Sequence, residues 1–165
     1  MKILVLGGTG MLGHKLYQTL SDVFDGVYVS FRKPSSEIQK FKLFQADRVI
    51  ENLDVENREA LIGALDSLKP DVICNCIGMT TRKIQKVSSE KVIYINALLP
   101  HLLKSWAEKN NSKLIHFSTD CVFSGSKGNY KESDLKDAKD LYGLSKSLGE
   151  VDGQHALTIR SSIIG

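Results

Sequence analysis

Lys2-Ile3-Leu4-Val5-Leu6-Gly7-Gly8-Thr9-Gly10-Met11-Leu12-Gly13 stands at the start of the chain, directly after Met1. Four consecutive apolar residues, Ile3 to Leu6, halted by glycine, read as a buried strand. From Met11 to Leu20 the pattern changes, with Leu12, Leu16 and Leu20 at i, i+4 and i+8 on one face of an amphipathic helix. Between the two elements Gly7, Gly10 and Gly13 hold a G-x-x-G-x-x-G spacing. The first glycine turns the chain and the second admits a pyrophosphate close to the backbone. The third lets helix pack on strand, and the helix N-terminus adds N–H donors and positive potential. Glycines also mark plain turns, but a strand–glycine–helix junction is the context that dinucleotide binding requires.

The rest of the chain repeats that alternation. Val27 to Phe31 reads as a second strand, and Lys33 to Arg48 as a polar connection with room for a short helix. Val49 to Val55 reads as a third strand, and Arg58 to Leu68 as a helix closed by Pro70. Asp71 to Ile77 is a fourth strand, with Asn75 as the polar residue of its apolar core. Helical periodicity runs from Ser88 to Lys109 through Val92, Ile93, Ala97, Leu98 and Leu102, and Pro100 predicts a bend or break. Leu114 to Phe117 is a fifth strand, Leu141 to Val151 a helix, and Ala156 to Ile164 a sixth strand. Strands separated by helices give a Rossmann-like, doubly wound parallel α/β sheet of at least six strands. Residues 1–165 then form a single NAD(P)-binding domain.

Composition agrees. The 165 residues are 42% hydrophobic and 25% charged with net charge +3, which fits one globular domain and excludes disordered, collagenous and disulfide-scaffold classes. The apolar run Ile3 to Leu6 is too short for a membrane span or a signal-peptide core, so a cytoplasmic location away from membranes is expected. The lysines are dispersed, which argues against a nucleic-acid partner. Cys74, Cys76 and Cys121 lack zinc-ligand spacing, so no metal is expected and inert buried thiols are.

Two further features carry chemistry. After the second strand, Ser30-Phe31-Arg32-Lys33 offers two cations where an NAD-selective domain places an acid. Arg32 and Lys33 suit a ribose 2′-phosphate, so NADPH is expected, with NADH as the alternative. Tyr142 and Lys146 lie four apart in a predicted helix, on one face. An ammonium there favours the phenolate, each pKa unit being worth about 1.4 kcal/mol. Upstream, Ser118-Thr119-Asp120 falls at the C-terminal end of the fifth strand, the side on which such sheets bind ligands. A hydroxyl there reaches a substrate carbonyl beside Tyr142; the alternative is a cap or turn hydroxyl.

With Gly7 to Gly13, Asn75-Cys-Ile-Gly78, Asn96-Ala-Leu-Leu-Pro-His101, Ser118-Thr-Asp-Cys-Val-Phe-Ser-Gly125 and Tyr142 to Lys146 in place, the chain resembles the extended short-chain dehydrogenases/reductases. It is nearest to their dTDP-4-dehydrorhamnose reductase branch. The resemblance implies a catalytic set of Thr119 as orienting hydroxyl, Tyr142 as proton donor and Lys146 as its partner on the nicotinamide ribose. It implies cofactor contacts at Gly7, Thr9, Gly10, Met11 and Leu12, at Asp54 and Val55 beside the adenine, and at Cys76, Ile77 and Gly78. Arg32, Lys33, Tyr142 and Lys146 complete that set. Asn96 and Pro100 are structural in this reading. The family carries tyrosine where Cys121 stands. Dehydratase relatives carry an Asp-Glu pair after the threonine, which Asp120-Cys121 does not supply, and Ser118-Thr119-Asp120 does not match the serine-rich run of epimerases.

The implied function is NADPH-dependent reduction of a keto group on a nucleotide-linked 6-deoxy sugar for polysaccharide assembly. The alternatives are an epimerase of the same superfamily and a non-catalytic NAD(P)-binding regulatory subunit. The implied partner is a nucleotide-sugar substrate, with a homodimer as the assembly allowed for. A last strand carrying Ile159, Ile163 and Ile164 needs cover on both faces, so the chain is expected to be the N-terminal part of a longer protein with a C-terminal substrate domain.

Overall fold

The computed structural model describes residues 1–34 and 43–162. Among the described residues, six strands form one parallel sheet: β1 (Ile3–Leu6), β2 (Val27–Ser30), β3 (Val49–Ile50), β4 (Val72–Asn75), β5 (Lys113–Ser118) and β6 (Ala156–Arg160). Their order is β3-β2-β1-β4-β5-β6, so the sheet grows outward in both directions from β1. That reversal opens the crevice of a Rossmann-like sheet beyond the C-terminal ends of β1 and β4. The expected architecture is the observed one.

Helices cover the sheet: α1 (Met11–Ser21), α2 (Arg58–Leu68), α3 (Thr81–Ile84), α4 (Ser89–Ile93), α5 (Leu99–Lys109) and α6 (Leu141–Leu148). One face buries Leu4, Leu6, Ile73 and Leu114 against Leu61 and Leu65 of α2 and Leu99, Leu103 and Trp106 of α5. The other buries Ile3, Val5, Val27, Val29 and Cys74 with Tyr17 of α1. Alternate residues of β1 thus feed opposite cores, which is why its sequence is apolar throughout. Among the described residues, no helix is long and apolar enough to cross a membrane.

Several boundaries differ from the sequence reading. The third strand was expected to reach Val55, but Asn52 takes a left-handed φ of 55° and β3 ends at Ile50. Pro100 was expected to bend or break its helix. The chain stays helical and instead widens into a π-turn over Tyr94–Leu98, with the Leu99 N–H bonding the Tyr94 carbonyl. Proline has no N–H to give the Asn96 carbonyl. That carbonyl sits where a Cβ on Gly149 would overlap it, so α6 packs directly on the widened turn. The sixth helix stops at Leu148, short of Val151, because Gly149 caps it and the Val151 N–H turns to Thr158 Oγ1 at 2.9 Å. β6 ends at Arg160; Ile163 and Ile164 of the predicted strand lie outside the described residues. Residues 35–42 of the connection from Lys33 to Arg48, for which a short helix was allowed, also lie outside the described residues, and the described part holds one 3-10 turn, Ala46–Arg48. The turn α3 carried no sequence signal.

Candidate active site

The expected cofactor residues and Thr119 lie in the segments that follow the C-terminal ends of β1 to β5, with Met11 and Leu12 opening α1, and Tyr142 and Lys146 lie on α6. The loop after β1 is held by Gly8 N–H to the Ser30 carbonyl at 3.1 Å and Gly10 N–H to the Gly7 carbonyl at 2.9 Å. Gly7 has φ +85°, and a Cβ there would stand 2.8 Å from Ile77 Cγ1, so both backbone and space require glycine. A Cβ on Gly13 would overlap the Gly7 carbonyl, which is the close helix–loop packing expected of the third glycine. Helices α2, α4 and α6 receive side-chain caps from Asn57, Ser88 and Asp140. Helix α1 begins at Gly10 with none. The exposed start of α1 thus lacks a side-chain cap for its first N–H groups, a geometry that suits an anion such as a dinucleotide pyrophosphate.

Around that loop stand the other expected cofactor residues. Arg32 and Lys33 are exposed in the bend after β2. Asp54 Oδ1 accepts the Glu56 N–H at 3.1 Å, and Tyr94 Oη donates to the carbonyl of the buried Val55 at 3.0 Å. Cys76, Ile77 and Gly78 are partly buried beyond β4, with Ile77 against Gly7. Burial pushes Cys74 up to about 11 and Cys76 up to about 12, so both remain thiols. The expected inert burial therefore describes Cys74; Cys76 is a partly buried thiol, and Cys121 is exposed.

The catalytic candidates meet at the end of β5. Thr119 is buried, accepts the Cys121 N–H at 3.2 Å and donates to Asp120 Oδ1 at 3.1 Å. These bonds shape the 3-10 turn Asp120–Val122. Asp140 Oδ1 caps α6 by accepting the Gly143 N–H at 3.0 Å. A Cβ on Gly143 would overlap the Cys121 carbonyl and Ala138, so this glycine lets α6 press against the turn. Tyr142 stands one residue before it, and the Thr119 hydroxyl acts to lower the pKa of its phenol. Sequence reasoning passed over Gly143; a glycine inside an amphipathic helix was the available signal.

The electrostatics depart from the expected pairing. Burial holds the Tyr142 phenol above its ordinary range and outweighs the lowering by the Thr119 hydroxyl, so it is a protonated phenol rather than a phenolate. Lys146 is 4% exposed, and its Nζ is drawn to β5, donating to the Phe117 carbonyl at 2.6 Å with His116 Nε2 at 3.3 Å. Burial lowers the Lys146 ammonium to about 8. Asn96, fully buried in the π-turn, accepts the Met79 N–H at 2.8 Å and donates to the Met79 carbonyl and to Ser145 Oγ. It ties the segment beyond β4 to α6, the structural role expected of it.

A cavity of about 310 Å³ opens next to Thr119, lined by Asp120, Cys121, Phe123, Ser124, Gly125 and Tyr130. Phe123 and Tyr130 stack at 4.5 Å, and the Arg160 guanidinium lies 5.2 Å from the Phe123 ring centre. Tyr130 gave no sequence signal, because its partners become neighbours only through the loop after β5. Among the described residues, no group of three or more His, Cys, Asp or Glu is placed to hold a metal ion.

Comparison with known proteins agrees with this geometry. The family model described as the RmlD substrate binding domain matches residues 1–164. A dTDP-4-dehydrorhamnose reductase of Aggregatibacter actinomycetemcomitans is 31% identical over 150 residues, covering 90% of this chain and 45% of that protein. The methionine adenosyltransferase 2 subunit beta of Danio rerio is 28% identical over 151 residues, covering 90% of this chain and 42% of the other. Among solved structures, a hypothetical dTDP-4-dehydrorhamnose reductase from Sulfolobus tokodaii superposes with TM-score 0.80 at 32% identity, covering 97% of this chain and 55% of that one. The chain spans about half the length of the relatives it matches.

Proposed function

The chain belongs to the RmlD substrate binding domain family, and from that premise we propose that it carries the cofactor and catalytic half of an NADPH-dependent keto-sugar nucleotide reductase. The observations that support this most are the Tyr142 phenol, which burial keeps protonated and on which the Thr119 hydroxyl acts, and the start of α1 without a side-chain cap beyond the same C-terminal end of the sheet. NADPH, when bound, supplies a hydride. Gly7, Thr9, Gly10, Met11 and Leu12 hold its pyrophosphate, Arg32 and Lys33 its 2′-phosphate, and Asp54 and Val55 its adenine side. Cys76, Ile77 and Gly78 line the way to Lys146, whose nitrogen lies 4.0 Å from where a Gly78 Cβ would stand. Thr119 orients the substrate carbonyl oxygen, and Tyr142 gives it a proton as the alkoxide forms. General acid catalysis of this kind contributes about 10²–10⁴-fold.

A regulatory subunit is the second reading, favoured by the match to a methionine adenosyltransferase subunit. The two separate on turnover. NADPH oxidation is followed against a panel of keto-sugar nucleotides with the intact protein. The reductase reading expects consumption with at least one of them; binding of NADPH without any consumption favours the subunit. Product formed without net cofactor use marks an epimerase.

A further inference from the structure

β4 and β5 are parallel neighbours in a register that sets Asn75 beside His116. Both side chains are fully buried. Asn75 Oδ1 accepts the Ile77 N–H at 3.1 Å, which fixes the end of the carboxamide that faces β5. Its Nδ2 is then the atom 3.1 Å from His116 Nδ1. An amide nitrogen donates, so Nδ1 accepts, and a neutral imidazole accepting at Nδ1 carries its proton on Nε2. Reversing the amide would turn its NH₂ group toward the Ile77 N–H, leaving two donors facing each other with no acceptor. The Nε2–H points at Lys146 Nζ, 3.3 Å away. An ammonium has donors only and meets that N–H donor to donor. A neutral amine accepts it on its lone pair and still donates to the Phe117 carbonyl.

We propose that Asn75 and His116 are positioning residues: Asn75 fixes His116 as the Nε2–H tautomer, and His116 holds Lys146 at the Phe117 carbonyl while disfavouring its ammonium form. The relevance to catalysis rests on the reductase reading of Lys146; the tautomer and the titration do not. Burial first, and then the Lys146 charge, lowers His116 to about 3, so the ring is neutral at working pH. Lys146 itself is brought down to about 8. Other groups act on the pair from several elements. Glu150, beyond the end of α6, favours the charged forms of both, while His101 on α5 disfavours protonated His116. The Cys74 and Cys76 thiols beside Asn75 and the Tyr142 phenol one turn back on α6 are uncharged. Lys146 therefore changes charge close to neutral pH, where an ordinary lysine does not.

The test is nitrogen NMR on the intact protein with labelled histidine and lysine. In the wild type, His116 should show a protonated Nε2 and an unprotonated Nδ1; the opposite tautomer overturns the proposal without any variant. In Asn75→Asp the carboxylate still accepts from Ile77 but can only accept from His116, so the proton moves to Nδ1 and Nε2 accepts from the ammonium. The Lys146 midpoint should rise by about one pH unit or more toward the ordinary value near 10.4. An unchanged midpoint overturns the proposal. So does an equal rise in Asn75→Asp combined with His116→Phe, since the carboxylate charge alone would then account for it. None of these readouts uses turnover, so they stand or fall apart from the reductase assignment.

Discussion

Arg160 grips Glu150 with two prongs, Nε to Oε1 and Nη2 to Oε2, each at 2.8 Å. The pair ties the residue beyond α6 to the last turn-ward residue of β6, and Lys136 adds a third bond at 3.0 Å. The Glu150 side chain is 8% exposed, so screening by solvent is weak. Burial raises its pKa, but the hydrogen bonds from Arg160 and Lys136 outweigh burial and bring it to about 2. The unfolded carboxyl titrates near 4.3, so the unfolded state binds more protons between those values. Stability from this pair is complete above about pH 4.3 and is lost as pH falls toward 2. Glu150→Gln should flatten that part of the acid limb in urea unfolding measured from pH 5 downward. It should also cost about 1–3 kcal/mol at neutral pH, through the Arg160 bonds it weakens.

Gly143→Ala should misplace Tyr142. The added methyl meets the Cys121 carbonyl and Ala138, and neither is the free end of a flexible chain. Overpacking of this kind costs about 1–3 kcal/mol. The helix must shift, and a displacement of about 1 Å at a reacting group costs on the order of 100-fold in rate. Thermal unfolding and turnover should therefore both fall; a variant stable as wild type with full turnover refutes the packing argument.

How much of this was legible follows from what each feature depends on. Ile3 to Leu6 and Arg58–Leu68 were readable because local periodicity and flanking glycine or proline decide them. The sheet order followed from handedness once the strands were found. Asn52 ending β3 was not readable, since left-handed asparagine depends on the surrounding turn. The π-turn before Pro100 was hidden because a proline predicts disruption but not its form, which here depends on contact with Gly149, far along the chain. At the site, Tyr142 and Lys146 carried motif spacing, and Thr119 followed from its place at the end of the fifth strand and from the family resemblance. His116 did not, because its meaning arises only when β5 registers with β4 and α6 folds over both.

Tyr142→Phe removes the donated proton and keeps the aromatic ring. Turnover should drop by about 10²–10⁴-fold while NADPH affinity stays near wild type. Thr119→Val should lower turnover as well, and it also frees the Cys121 N–H that Thr119 Oγ1 accepts. Steady-state kinetics with cofactor titration by fluorescence separates the effects. Unchanged turnover in Tyr142→Phe rules out its role as proton donor.

Arg32→Ala tests cofactor choice. Charge-assisted hydrogen bonds are worth about 1.5–3 kcal/mol, or roughly 10- to 150-fold in affinity. NADPH binding should weaken by that order while NADH binding hardly changes. Equal loss for both cofactors would make Arg32 a general surface charge.

Lys146 should leave a signature at alkaline pH. Its ammonium titrates near 8 in the folded protein, lowered chiefly by burial. The unfolded lysine titrates near 10.4. Below about pH 8 both states hold the proton, and the folded state bears the full cost of a buried ammonium. From about pH 8 to 10.4 the folded protein has released that proton while the unfolded chain keeps it. The unfolded state then binds more protons, so unfolding free energy rises with pH across this window, by about 3 kcal/mol in all. Tyr142, held above the ordinary phenol range by burial, acts oppositely as unfolded tyrosine ionises near 10, so the rise is cleanest from pH 8 to about 9.5. Lys146→Met removes the titrating group. Denaturant unfolding of wild type and variant at matched pH should show a stability difference that shifts toward the wild type over that interval. A difference independent of pH would mean that Lys146 keeps an ordinary ammonium in the fold, and that burial at the end of β5 does not govern its charge.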